Sequence, residues 1–179
     1  MSQWANTGKV TKTLIGINAL VYLAQYTGGD AVTSLLALQP SLVFSEPWTL
    51  ITSGFAHRDF IHIALNMYSL WIFGEAIESW LGAKRFVWLY LASILAGSIA
   101  FVIFNPLDSA VGASGGIFGL MGAYFVIIRA LGYRSSQMLV LIGLNVVFGF
   151  LNPGVAVAAH FGGLAAGAAI AWYYAKLKR

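Results

Sequence analysis

Nineteen consecutive residues, FVWLYLASILAGSIAFVIF from Phe86 to Phe104, carry no charge. A membrane-spanning helix needs about 20 mostly apolar residues, and this run is not alone. Comparable stretches cover Val10–Tyr26, Phe60–Ile77, Val111–Ile128 and Val155–Ala175, with a shorter one at Met138–Leu151. The chain as a whole is 59% hydrophobic and 9% charged, against about half apolar and about a quarter charged in soluble domains. The sequence therefore predicts an all-α polytopic membrane protein of six transmembrane helices. Its 179 residues leave room for a single domain, residues 1–179.

Composition also removes several chemistries. The chain has no cysteine, which excludes disulfides, thiolate nucleophiles and Cys-ligated metals. The formal net charge of +4 comes from scattered basic residues rather than a stripe, so no nucleic-acid partner is expected. No H-E-x-x-H motif occurs, and the three histidines lack the company of a zinc site. GASGG at 112–116 has no neighbouring Lys or Arg to make a phosphate cradle. No metal and no cofactor is expected.

The basic residues set the orientation. Lys9 and Lys12 precede the first span, Lys84 and Arg85 lie between the second and third, and Arg129 and Arg134 between the fourth and fifth. Lys176, Lys178 and Arg179 follow the sixth, so Arg58 is the one basic residue on the opposite side. By the positive-inside rule both termini are cytoplasmic, in the cell (inner) membrane. Asp30, Glu46, Asp59 and Asp108 then fall outside. The outer segment 27–59 is too apolar for a solvated loop and is interrupted by Pro40 and Pro47. It reads as an interfacial or re-entrant element. The absence of an inverted repeat and of intramembrane charge argues against a transporter.

Polar side chains inside a bilayer are costly and mark function. Four fall on the outer halves of spans 2, 4 and 6: His62, Asn66, Ser114 and His160, each read as three to seven residues from its span's outer end. Taken singly, each has an ordinary reading as a packing or interfacial residue. Ser114 sits in a G-x-S-x-G pattern, but the strand–turn–helix setting of that motif is not expected here. Jointly they are more specific. His62 and Asn66 are spaced i, i+4 on one helix face, and His160, Gly163 and Gly167 share another. Gly115 and Gly119 in span 4, facing G-x-x-x-G in span 6, allow the backbones to approach until His160 reaches Ser114. No Asp or Glu follows Asp108, so an acid-less Ser–His pair is the arrangement that remains.

HRDFIHIALNM (His57, His62, Asn66), GASGGIFG (Ser114) and HFGGLAAG (His160, Gly163, Gly167), in this order on spans 2, 4 and 6, resemble the rhomboid family of intramembrane serine proteases. The resemblance runs over residues 10–175 and is closest to the minimal bacterial or archaeal form. It implies Ser114 as nucleophile, His160 as general base, and His62 and Asn66 as donors to the oxyanion with the Ser114 N–H. It further implies a structural role for His57, a brace at Glu78, a membrane-embedded loop 1 over 27–59, and a movable span 5. The implied activity is a serine endopeptidase acting on the transmembrane segments of other proteins, in the bilayer, from an extracytoplasmic-facing site. The alternative is a rhomboid-like protein that binds such segments without cutting them. Two positions depart from the family pattern: Thr49 follows Trp48 where Arg is usual, and Phe118 stands where Tyr is usual. Phe118 keeps a ring able to stack on His160. Oligomeric state is left open.

Overall fold

The computed structural model describes residues 8–152 and 154–177. Lys178 and Arg179, used above for orientation, lie outside the described residues. Among the described residues are seven α-helices: α1 (Lys9–Leu36), α2 (Thr49–Thr52), α3 (Phe60–Leu81), α4 (Ala83–Phe104), α5 (Ser114–Ala130), α6 (Ser136–Leu151) and α7 (Val157–Leu177). Among the described residues there is no strand, only one isolated antiparallel bridge between Leu38 and Ala110. By length and composition α3 and α4 each suffice to cross a membrane. α6, at 16 residues, rises only about 24 Å, less than the roughly 30 Å hydrocarbon layer.

Helix boundaries differ from the sequence reading at informative places. The first span was expected to end at Tyr26, but helix continues to Leu36, broken at Gly29 (φ 61, ψ −147). That left-handed geometry favours glycine, and it redirects the outer part of α1 into the loop 1 region. Beyond it come a 3₁₀ turn at Pro40–Leu42, the single turn of α2, and another 3₁₀ turn at Ser53–Phe55. Phe44 is fully exposed on this segment while Leu38, Ala56 and His57 are buried. Such two-sidedness suits an element lying in the membrane interface. Helix was also expected from Val111, yet α5 starts at Ser114. Gly112, at φ 132, donates its N–H to the Ser53 carbonyl at 2.9 Å, so it is committed to loop 1 instead of a helical turn.

α5 is the central helix. Every residue from Gly115 to Ala123 is buried, which a helix with large side chains all round would not permit at these separations. Its glycines admit α4 on one side and α7 on the other. A Cβ on Gly116 would meet the Tyr90 ring, and one on Gly119 the Ser93 side chain. From the α7 side, a Cβ on Gly163 would strike the Gly115 carbonyl, and one on Gly167 the Gly119 carbonyl. These are the close backbone approaches that small residues allow in membrane bundles.

The end of the bundle away from Ser114 is tied by Glu78. Its buried carboxylate accepts from the Val10 N–H (3.1 Å), the Thr11 N–H (2.9 Å) and the Thr11 hydroxyl (2.8 Å). α1 has no side-chain N-cap of its own, so a residue of α3 satisfies N–H groups that its first turn leaves open.

Candidate active site

Ser114 is the first residue of α5, where the sequence reading put it three residues into a span beginning at Val111. Preceding it are the Ala110–Leu38 bridge and the left-handed Gly112. This is a short extended–turn–helix arrangement, a setting not expected from the apolar run around Ser114. The consequence is chemical. The first intrahelical bond is Ile117 N–H to Ala113 C=O, so the N–H groups of residues 114 to 116 have no intrahelical acceptor. One of them is the N–H of Ser114 itself.

α7 brings His160 to that hydroxyl: Nε2 lies 2.9 Å from Ser114 Oγ. The imidazole stacks on Phe118 with ring centres 4.1 Å apart and planes 10° apart. Phe118 is one turn along α5 from Ser114, so a single helix carries the hydroxyl and the platform that orients its partner. No carboxylate assists. His160 Nδ1 is buried with no hydrogen-bond partner among the described residues. With Nδ1 carrying the proton, Nε2 is the acceptor for the serine O–H.

His62 and Asn66 enter from α3. Asp59 caps that helix by accepting the His62 N–H at 2.8 Å. Asn66 donates one N–H back to the His62 carbonyl at 2.8 Å, so half its donor capacity is spent within its own helix. The His62 ring lies against Gly112: a Cβ there would fall 2.8 Å from His62 Nε2 and 3.7 Å from Ser114 Oγ. The absent side chain leaves the space between these two atoms open. All four polar residues, with Phe118, line one cavity of about 360 Å³ between α3, α5 and α6.

Loop 1 is anchored without the arginine usual in the family. Trp48 Nε1–H donates to the Leu35 carbonyl (3.2 Å) and the Thr52 hydroxyl to the Leu36 carbonyl (3.2 Å). Thr49 is buried and bonds the Glu46 carbonyl at 2.6 Å. His57 is buried beside His62, ring centres 5.1 Å apart, and burial, followed by the His62 charge, pushes it down to about 4. Sequence reasoning missed two contacts here. Arg58 donates to the Gly154 carbonyl across the cavity mouth (2.7 Å), and Gln25 of α1 bonds the backbone of His57. The lone outer position of Arg58 was a legible signal; nothing local marked Gln25.

An apolar helical bundle with a serine and a histidine in contact near one end, beside a cavity opening between helices, defines a class of membrane-embedded protein. Residues 45–177 match the Rhomboid domain family. The chain is 35% identical over 176 residues, 89% of its length, to the rhomboid protease GluP of Bacillus subtilis, of which the match covers 34%. It is 37% identical over 128 residues to YdcA of the same organism, covering 68% of this chain and 64% of that one. With the mitochondrial RHOMBOID-like protein 6 of Arabidopsis thaliana it shares 37% identity over 130 residues, 69% of this chain and 42% of the relative. These matches span from a third to just under two thirds of the relatives' own lengths. The chain belongs to the rhomboid family, and it is an integral membrane protein built as that family's all-α bundle.

Proposed function

We propose that this chain is an intramembrane serine endopeptidase that cuts other proteins in or near their transmembrane segments with a Ser114–His160 dyad. The observation that carries the reading is the 2.9 Å contact of His160 Nε2 with Ser114 Oγ beside the 360 Å³ cavity. His160 accepts the serine proton as Oγ attacks the substrate carbonyl, and an acyl-enzyme forms as the amine leaves with that proton. The oxyanion is met by the Ser114 N–H and by donors from His62 and Asn66 on the facing helix. Water then attacks the ester as His160 takes its proton, and His160 passes that proton to Oγ as the new carboxyl end leaves.

A carboxylate normally fixes the histidine of such a pair. Here the Phe118 face does so, holding the imidazole by stacking alone. Gly163 and Gly167 set the distance between α5 and α7, so the pair is aligned by backbone contact. A substrate helix must unwind locally to present a peptide bond, since helical backbone is sequestered. The cavity between α3 and α6 is where an unwound segment fits. The single domain spans residues 1–179, its termini are cytoplasmic and the site opens to the outer side of the cell membrane.

Purified protein in detergent, incubated with a transmembrane substrate and a fluorophosphonate probe, tests the reading. Cleavage and labelling are expected in the wild type and absent in Ser114→Ala. Cleavage that survives this substitution would sink the dyad. Ser109→Cys should react with an impermeant thiol reagent from outside and Leu131→Cys only after permeabilisation; the reverse pattern would invert the orientation.

A further inference from the structure

The buried positions of α1 are Thr11, Leu14, Asn18 and Gln25. Three of these four are polar and recur every seven residues on one face, a costly arrangement in a membrane helix. Thr11 is accounted for by Glu78, and Asn18 donates one amide N–H to the Leu14 carbonyl of its own helix, its Oδ1 having no partner among the described residues. Gln25 is different because its side chain, only 6% exposed, engages another segment. Its Oε1 accepts the His57 N–H at 2.9 Å, and its Nε2 donates to the His57 carbonyl at 3.1 Å. The second Nε2 hydrogen goes to the Thr33 hydroxyl at 3.1 Å. The side-chain amide thus pairs with both backbone groups of a single residue, as a neighbouring strand would.

Residues 56 to 59 belong to no regular element, so their backbone must be satisfied by something else. One residue beyond the anchored His57, the Arg58 N–H points at His62 Nδ1 (3.4 Å). The next residue, Asp59, holds the His62 N–H. An Nδ1 that accepts leaves the neutral ring's proton on Nε2, the nitrogen that borders the space beside Gly112 and Ser114 Oγ. We infer that Gln25 is a positioning residue for the oxyanion donor His62. From a helix that contributes nothing to the cavity wall, it fixes the 57–59 backbone, and that backbone sets the ring's place and tautomer. This inference rests on the protease reading for its kinetic consequence but not for its structural one.

The test has two arms, both on the full chain in detergent. In the kinetic arm, Gln25→Met keeps the length of the side chain and removes its hydrogen bonds. It should lower kcat on the order of 10-fold or more with KM within about twofold, since a misplaced oxyanion donor acts in the transition state. In a His62→Ala background the same substitution should change kcat by less than about twofold. Equal losses in both backgrounds, or no loss in either, would overturn the inference. Thr33→Val, which leaves both bonds to His57, should match the wild type. The second arm uses the fact that the chain has 3 histidines. Nitrogen-15 shifts of labelled rings should show His62 as the Nε2–H tautomer in the wild type and a mixture in Gln25→Met. An unchanged tautomer there also overturns the inference. Should Gln25→Met not fold, Gln25→Asn, which withdraws the amide by one methylene, is read in the same two ways. A wild type without cleavage would count against the protease reading alone, and the ring spectra would still decide the role of Gln25.

Discussion

α6 and α7 are consecutive helices, both apolar, and they are held in very different ways. α7 presents Gly163, Gly167, Ala171 and Ala175 to its neighbours, and its packing on α5 is the most extensive in the molecule. α6 buries only Met138 and Gly149, while Leu139, Val140, Leu144 and Val147 are exposed and Phe148 lines the cavity. α6 makes few close contacts with the bundle, whereas small residues bring α7's backbone onto α5. The helix that carries His160 is therefore fixed by backbone contact, and the helix that walls the cavity is lightly held. Under the protease reading this difference separates two tasks. The reacting groups need constant geometry, whereas a bulky substrate needs one wall that yields.

The largest effects are expected at the reacting groups. Ser114→Ala and His160→Ala should each abolish cleavage with melting temperatures near wild type, and the double variant should be no worse than either alone. Activity remaining in either variant would detach the α5–α7 contact from catalysis.

The same substitution should have unequal effects on the two helices. In Gly163→Ala the added Cβ meets the backbone carbonyl of Gly115, which has no side chain to turn away. Overpacking of this kind costs about 1–3 kcal/mol, and a shift of even about 1 Å can cost on the order of 10² in rate. In α6, Gly143 has nothing within 4 Å of the added atom, so Gly143→Ala should be neutral or slightly stabilising. Thermal unfolding and cleavage assays on the pair check this; equal responses would contradict the difference in packing.

An effect spread over a range of pH concerns loop 1, which like α7 is tightly held. His57 has a native value near 4, below the 6.5 expected of an unfolded histidine. The unfolded chain therefore binds more protons between those values, and stability falls as pH drops from about 6.5 towards 4. The full linkage is on the order of 3 kcal/mol. Melting temperatures of wild type and His57→Gln between pH 7 and 4.5 should show a shallower decline in the variant. Parallel declines would assign the acid sensitivity elsewhere.

The smallest expected effect lies at the join of the two helices. Arg58 ties the connection between α6 and α7 to the start of α3 through the Gly154 carbonyl. Losing one exposed charge-assisted bond costs about 1 kcal/mol. Arg58→Gln should thus raise cleavage of a transmembrane substrate by up to about fivefold, with labelling by a small water-borne probe unchanged. Equal changes in both readouts would mean that the tether acts on the dyad itself.

The long uncharged runs decided the solvent and the helical class, because a bilayer tolerates few alternatives for such segments. The spacings of His62 with Asn66, and of His160 with Gly163 and Gly167, were legible because a helix converts spacing into a shared face. Boundaries governed by contacts distant in sequence were not. Gly112 leaves the helix because its N–H meets Ser53, and this places Ser114 at a helix start with open N–H groups. Gln25 has no local signature at all, since its meaning lies in the backbone of a residue 32 positions away. The Ala and Gly of α7 against the Leu, Val and Phe of α6 are visible in the sequence, but only the depth to which each packs tells the fixed wall from the yielding one. Local periodicity is written along the chain by covalent geometry, while hydrogen-bond partners and packing depth depend on which distant segments the fold brings into contact.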